Sequence, residues 1–235
     1  MQTDTVFSFL AQVETGQHFS DGLFEAAHAV CLIDNELGLG AIAVGPAETS
    51  GAPLKALQIL QDDMRTNLAE TPVAEGLRES MTNIHEYLQN TNGFADNEGI
   101  GLVAVHASDQ GLHVISSGGF GCWHVHDGKA SDLCADSAHV RQLGCQQELT
   151  VQQAEHKPSV GDLVLLIGSS DWQRVGAEFM QLTLGRFSDN PEVALRQINT
   201  RLAHRAGRQT PPMLFARCES TAARKKGWLS GLLSN

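Results

Sequence analysis

Two helix-period segments follow one another in this chain with no strand-like run between them, and that adjacency constrains the fold more than any other feature. After Thr49-Ser50-Gly51 the apolar residues Leu54, Leu57, Leu60, Met64 and Leu68 recur at the three- and four-residue spacing of one helix face. Thr71-Pro72 then supplies a cap and a first-turn proline, and Val73, Leu77, Met81, Ile84 and Leu88 repeat the pattern. Alternating βαβ units would interleave helix and strand, whereas here the helices stand together between blocks of strand. The order predicts an α+β domain built in layers, two mainly antiparallel sheets facing each other with helices outside.

The strand blocks are short and bounded by turn residues. "LFEAAHAVCLID" and "LGLGAIAVG" are rich in small and branched apolar residues, and Asp34-Asn35-Glu36 between them fits a hairpin connection. In the middle, "GIGLVAVHA", "GLHVISSG", "GCWHVHDG" and "KASDLCAD" alternate with turns at Ser108-Asp109-Gln110-Gly111 and Asp127-Gly128, the pattern of an antiparallel meander. After a polar stretch, Pro158, Gly161 and Asp162 turn the chain into the buried strand Leu163 to Ile167, which stops abruptly in Gly168-Ser169-Ser170-Asp171-Trp172. A further helix starts at Asn190-Pro191 with Leu195, Ile198 and Leu202 on one face, and "MLFARCE" is the last strand.

Composition narrows the function classes. At 235 residues with 42% hydrophobic content, the chain buries one sizeable core, predicted here as a domain over residues 1–220 followed by a basic, amphipathic tail over 221–235. No apolar run is long enough to span a membrane and the N-terminus has no signal-peptide pattern, so the expectation is a cytoplasmic protein. The five cysteines, Cys31, Cys122, Cys134, Cys145 and Cys218, never form CxxC and read as reduced core thiols. All 27 acidic residues precede residue 224, while Arg224, Lys225 and Lys226 carry three of the 16 basic charges. So acidic a body repels nucleic acid.

Four segments carry a resemblance to a known family. "AIAVGPAETSGAPLKAL", "GLHVISSGGFGCWHVHDGKASDLCAD", "VGDLVLLIGSSDW" and "PPMLFARC" resemble, in order, the landmark segments of the PPM, or PP2C-like, metal-dependent protein phosphatases, over roughly residues 16 to 218. The resemblance implies a four-layer α/β/β/α sandwich with helix pairs outside. It also implies two divalent ions, magnesium or manganese, which share bridging water between the sheets. One of these waters attacks the phosphorus of phosphoserine or phosphothreonine.

Hard cations of this kind need several oxygen ligands, and carboxylates to offset their charge. By the resemblance, Asp21 falls where the family carries its first acidic ligand and is the one survivor. Gly45-Pro46 stands where Asp-Gly belongs, Gly119 replaces the aspartate of a Gly-Asp-Ser-Arg turn, and Ser169 takes the place of the ligand ending the buried strand. Pro211-Pro212 stands in for Asp-Asn at the last strand. The expectation is therefore a catalytically inactive PP2C-like domain, bacterial by its compact form. It would lack a cofactor and act through a protein partner such as a kinase or phosphoprotein of a signalling or secretion system. The alternative is an active phosphatase using magnesium or manganese at an atypical site rebuilt from Asp21 and Asp171, with Asp34 or Asp162. A third possibility is a fold that senses a small ligand in the vacated cleft.

Other residues invite weaker readings. His124 and His126 alternate along one strand, which is geometry zinc could use, although a solvated sheet face is the simpler reading. His85 and His204 read as surface or boundary residues. Neither "GSSDW" nor "ISSGG" forms a GxSxG nucleophile motif, and "SSGGFG" is not followed by GK[ST]. Arg201, Arg205 and Arg208 form a stripe on the last helix that could receive an anionic partner, or simply face solvent. In the tail, basic residues precede Trp228, Leu229 and Leu232, a unit able to touch a membrane surface peripherally, enter a groove on another protein or pack back on its own domain.

Overall fold

The computed structural model of the chain describes residues 5–12, 22–26, 29–46, 51–68, 70–91, 98–108, 111–134, 141–145, 148–168, 170–206 and 212–220. In chain order the elements are β1 (Thr5–Gln12), β2 (Leu23–Ala26), β3 (Ala29–Asp34), β4 (Leu39–Val44), α1 (Gly51–Asn67), α2 (Val73–Thr91), β5 (Gly101–Ala107), β6 (Leu112–Ser117), β7 (Gly121–His126), β8 (Lys129–Asp132), β9 (Gln152–His156), β10 (Leu163–Ile167), α3 (Ala177–Arg186), α4 (Pro191–Ala206) and β11 (Met213–Ser220), with a 3₁₀ turn over Ser170–Val175 between β10 and α3. The strands make two antiparallel sheets, ordered β1-β11-β10-β7-β8 and β2-β3-β4-β5-β6-β9.

Strand alternation builds the layers. In β10, Val164 and Leu166 face the other sheet while Leu163, Leu165 and Ile167 face α3 and α4. In β4 and β5, Ile42, Val103 and Val105 enter the space between the sheets, and Ala41, Ala43, Leu102 and Ala104 pack under α1 and α2. Leu57, Leu60 and Met64 of α1, with Leu77, Met81, Ile84 and Leu88 of α2, are fully buried on that outer face, each worth about 1.5–3 kcal/mol of burial free energy. Leu195, Ile198 and Leu202 of α4 do the same on the first sheet. The four layers are thus α1/α2, the six-stranded sheet, the five-stranded sheet and α3/α4. All five cysteines are free and buried.

Several expectations are corrected in detail. The segment read as one strand, "LFEAAHAVCLID", is two, with β2 and β3 forming their own hairpin ahead of the expected β3–β4 hairpin. The meander is interrupted: β5–β6 and β7–β8 pair, but β6 and β7 lie in different sheets. The crossover occurs at Gly118 and Gly119, both in the left-handed region with φ of 75° and 74°, a conformation open to glycine and costly for most side chains. Strands β1 and β9 and helix α3 went unread because their apolar periodicity is weak. In β9, "QQAEH" is polar throughout and its residues are exposed or half-buried at the edge of its sheet.

Candidate functional site

Strand register places the described strand-borne candidates at one of two ends of the sandwich. Val44, Gly101, Gly121, Ile167 and Met213 lie at one end, through the pairs Val44↔Gly101, Ile167↔Gly121 and Ile167↔Met213. Asp34, Leu39, His106 and Leu163 lie at the other, through Asp34↔Leu39 and Leu39↔His106 in one sheet and Leu163↔Val125 in its neighbour. The six residues of β4 separate the two ends by roughly 17 Å at the rise of an extended strand.

The Val44 end gathers four of the positions at which the resemblance implies metal ligands: Gly45, Pro46, Gly119 and Pro212. Gly45 and Pro46 follow β4, and Pro212 precedes β11, its carbonyl accepting the Gly168 N–H at 3.0 Å. A Cβ added at Gly168 would lie 2.5 Å from Ile42 Cγ2, 2.9 Å from Pro212 Cγ and 3.4 Å from Val44 Cγ2, so the two sheets meet here through aliphatic groups. Gly119 is buried, and its carbonyl accepts the Trp172 Nε1–H at 3.2 Å. The Trp172 indole lies over Gly121, where a Cβ would come within 2.8 Å of Nε1, and meets Trp123 edge-on with centroids 5.7 Å apart. Asp21, Ser169 and Pro211 lie outside the described residues, as does the side chain of Asp171. Gly22, next to Asp21 in sequence, accepts the Ile33 N–H at 3.0 Å and so sits at the Asp34 end, away from Gly45. Gly45, Pro46, Gly119 and Pro212 offer no side-chain oxygen. These residues do not fit a binuclear metal centre. Among the described residues no three of His, Cys, Asp or Glu are arranged to hold a metal ion.

Buried carboxylates lie at the opposite end. Asp34 Oδ1 accepts the Glu36 and Leu37 amides at 3.1 and 3.0 Å, and Oδ2 accepts Gln61 Nε2 at 2.7 Å and Arg65 Nη2 at 3.0 Å. Burial works to raise this carboxyl, but the Leu37 amide, Gln61 and Arg65 overcome it and hold it below its usual range. Asp34 therefore closes the β3–β4 turn and ties it to α1. Asp162 accepts His124 Nε2–H on Oδ2 and His126 Nδ1–H on Oδ1, both at 2.8 Å, and the Ser159 amide on Oδ2 at 2.8 Å. Burial again pushes upward, and the Ser159 amide and the two imidazoles hold the carboxyl low. Of the carboxylates that could have rebuilt a metal site, Asp34 and Asp162 are thus engaged with protein partners.

This cluster revises the reading of His124 and His126. His124 is buried, not part of a solvated face, and its ring packs against that of His156 from the other sheet with centroids 4.1 Å apart. Burial lowers its pKa despite the Asp162 hydrogen bond. Half-exposed His126 is raised by its hydrogen bond to Asp162 and by the charges of Asp162 and Asp127. The sequence placed both histidines on one face but carried no sign that Asp162 would stand between them, because that depends on the β7–β10 register. His85 is likewise buried rather than on the surface, and accepts the Gly144 N–H on Nδ1 at 3.1 Å. Arg201 is exposed, its guanidinium 5.3 Å from the Phe179 ring centroid. Arg208, the side chains of Arg205 and His204, and Trp228, Leu229 and Leu232 lie outside the described residues. No helix among the described residues is long and apolar enough to cross a membrane.

No family model matches the chain, and no curated protein matches it in sequence. Solved structures do match. PppA, a key regulatory component of T6SS in Pseudomonas aeruginosa, aligns with a TM-score of 0.63 at 16% identity, over 91% of this chain and 99% of its own. The PPM Ser-Thr phosphatase MsPP from Mycobacterium smegmatis aligns with a TM-score of 0.63 at 19% identity, over 92% and 99%. The Mycobacterium tuberculosis serine/threonine phosphatase PstP/Ppp aligns with a TM-score of 0.62 at 14% identity, over 91% and 99%. Coverage of nearly the whole of each chain, with both sheets and both helix pairs in common, leads to one conclusion: this chain has the fold of the PPM serine/threonine phosphatases.

Proposed function

We propose that the chain is a catalytically inactive PP2C-like domain that acts by binding another protein. The observation that carries this reading is the closure of the Val44 end, where Gly168 backs onto Ile42, Val44 and Pro212 and the Trp172 indole caps the Gly119 carbonyl. Two divalent ions need a polar, anionic space, and Gly45, Pro46, Gly119 and Pro212, the described positions at which the resemblance implies ligands, carry no side-chain oxygen. A fold that keeps its layers without its ligands remains a stable binding surface, and function follows the site that is present. Likeness to a regulatory component of a secretion system supports a partner of the kinase or phosphoprotein class in such a system.

The test is hydrolysis of para-nitrophenyl phosphate by the full chain in manganese. The expected result is no turnover above a metal-free control. Turnover that disappears in Asp21→Ala defeats the reading. Co-purification of the full chain, with and without residues 221–235, then identifies the partner and the part played by the tail.

A further inference from the structure

We propose that His124, His126, Asp162 and His156 form a proton-operated latch that holds the edge strand β9 against the opposing sheet and releases it on acidification. The cluster lies at the end of the sandwich away from the closed Val44 end, and neither the fold nor the proposed function calls for it.

Strand β9 is held weakly by its backbone. Among the described strands it is the outermost of its sheet and pairs with β6 alone, from Leu112↔His156 to Ser116↔Gln152. On its inner face Ala154 packs against the core between the sheets, and His156 meets His124 of the other sheet at 4.1 Å between ring centroids. At its C-terminal end, therefore, the strand is secured across the sandwich by one imidazole packed on another. Neutral rings tolerate this contact. Two imidazolium ions at that distance, partly shielded from water, repel.

A single carboxylate serves the whole cluster. Ionised Asp162 accepts hydrogen bonds only, so the His124 Nε2–H donates to it and an added proton must enter at Nδ1. His126 draws on the same carboxylate through Nδ1, its ring 6.2 Å from that of His124. The remaining groups do not supply a second anion to His124. From the β7–β8 turn, Asp127 faces His126, with Oδ2 3.5 Å from Nε2, and Lys129 opposes it from β8. From β11, the Cys218 thiol feels Asp162 and Glu219 and stays protonated, raised to about 11 mainly by burial. From β6, the residue opposite His156 is the apolar Leu112. Once His126 is charged, a proton on His124 meets an anion already shared, with the His156 ring 4.1 Å away on its other side.

The direction follows from linkage. A histidine whose charged form is disfavoured by folding stabilises the closed state above the ordinary histidine range, and that contribution is lost as pH falls from about 6.5 towards the lowered value.

The test is native-state hydrogen exchange on the full chain, read as protection factors so that the intrinsic pH dependence of exchange cancels. Between pH 8 and 5.5, protection of the β9 amides, residues 152–156, is expected to fall about tenfold in a way that depends on His156, whereas β4 and β5 follow His106 and decline alike in the wild type and in His156→Gln. Half-buried His156 tolerates substitution, and in His156→Gln the β9 protection is expected to become independent of pH, with the His124 titration followed by NMR moving up towards the ordinary value. The latch is overturned if β9 protection is flat in the wild type or if His156→Gln keeps the full decline.

Discussion

At the Val44 end of the sandwich, glycines, prolines and an indole bring the sheets together through aliphatic and aromatic contact. At the Asp34 end, two buried carboxylates are each fixed by backbone amides and side-chain donors. The relatives' chemistry belongs, by resemblance, to the first of these ends. Here the polarity has its place in the second, where it closes turns and joins strands. The lesson is that a count of carboxylates says little about metal binding, because a carboxylate already satisfied by two or more donors is not free to ligate an ion.

Four measurements sharpen or break this contrast. The largest effect is expected for Asp162→Ala, which strands the N–H of buried His124 and removes the acceptor of the Ser159 amide. Urea unfolding at pH 7 should report a loss of about 4 kcal/mol, and a loss below about 1 kcal/mol would mean that the Asp34 end does not depend on its carboxylates. Next is Gly168→Val, whose added atoms collide with Ile42 and Pro212 and should cost about 2–3 kcal/mol. If this variant is instead as stable as the wild type, the Val44 end is open and the case for an inactive centre weakens.

The third is a pH profile. His106 is buried in β5, and burial, with the charge of cross-strand His113, lowers its pKa to about 4. Because the unfolded state binds the proton more readily, its contribution is complete above about pH 6.5 and declines below it. Wild type should lose roughly 2 kcal/mol more than His106→Gln between pH 7 and pH 5; identical slopes would show that this histidine is not charge-excluded in the fold. The smallest is Trp172→Phe, which keeps the ring but leaves the Gly119 carbonyl without its donor. Thermal unfolding should report about 1 kcal/mol, and no change would detach the indole from the closure of that end.

Much of the fold was legible in the sequence, and the reasons are local. The stripes of α1, α2 and α4 and the unbroken apolar run of β10 record burial directly, because side-chain period and buried face are the same fact in a regular element. What stayed hidden was whatever depends on a second segment. β9 carries no apolar signal because it lies at the sheet edge, where Ala154 and His156 turn towards the other sheet. The chain's change of sheet at Gly118 and Gly119 left β6 and β7 looking like meander neighbours.

The candidate site divides along the same line. The amino-acid order alone determined that Gly45, Pro46, Gly119 and Pro212 supply no side-chain oxygen, since ligand chemistry is a property of residue type. Only the tertiary structure decided what fills that end instead, and that Asp162 lies between His124 and His126 with His156 reaching over from the other sheet. Those contacts join residues some 30 to 40 positions apart. They exist only once strand register and the packing of two sheets have brought them within hydrogen-bonding distance.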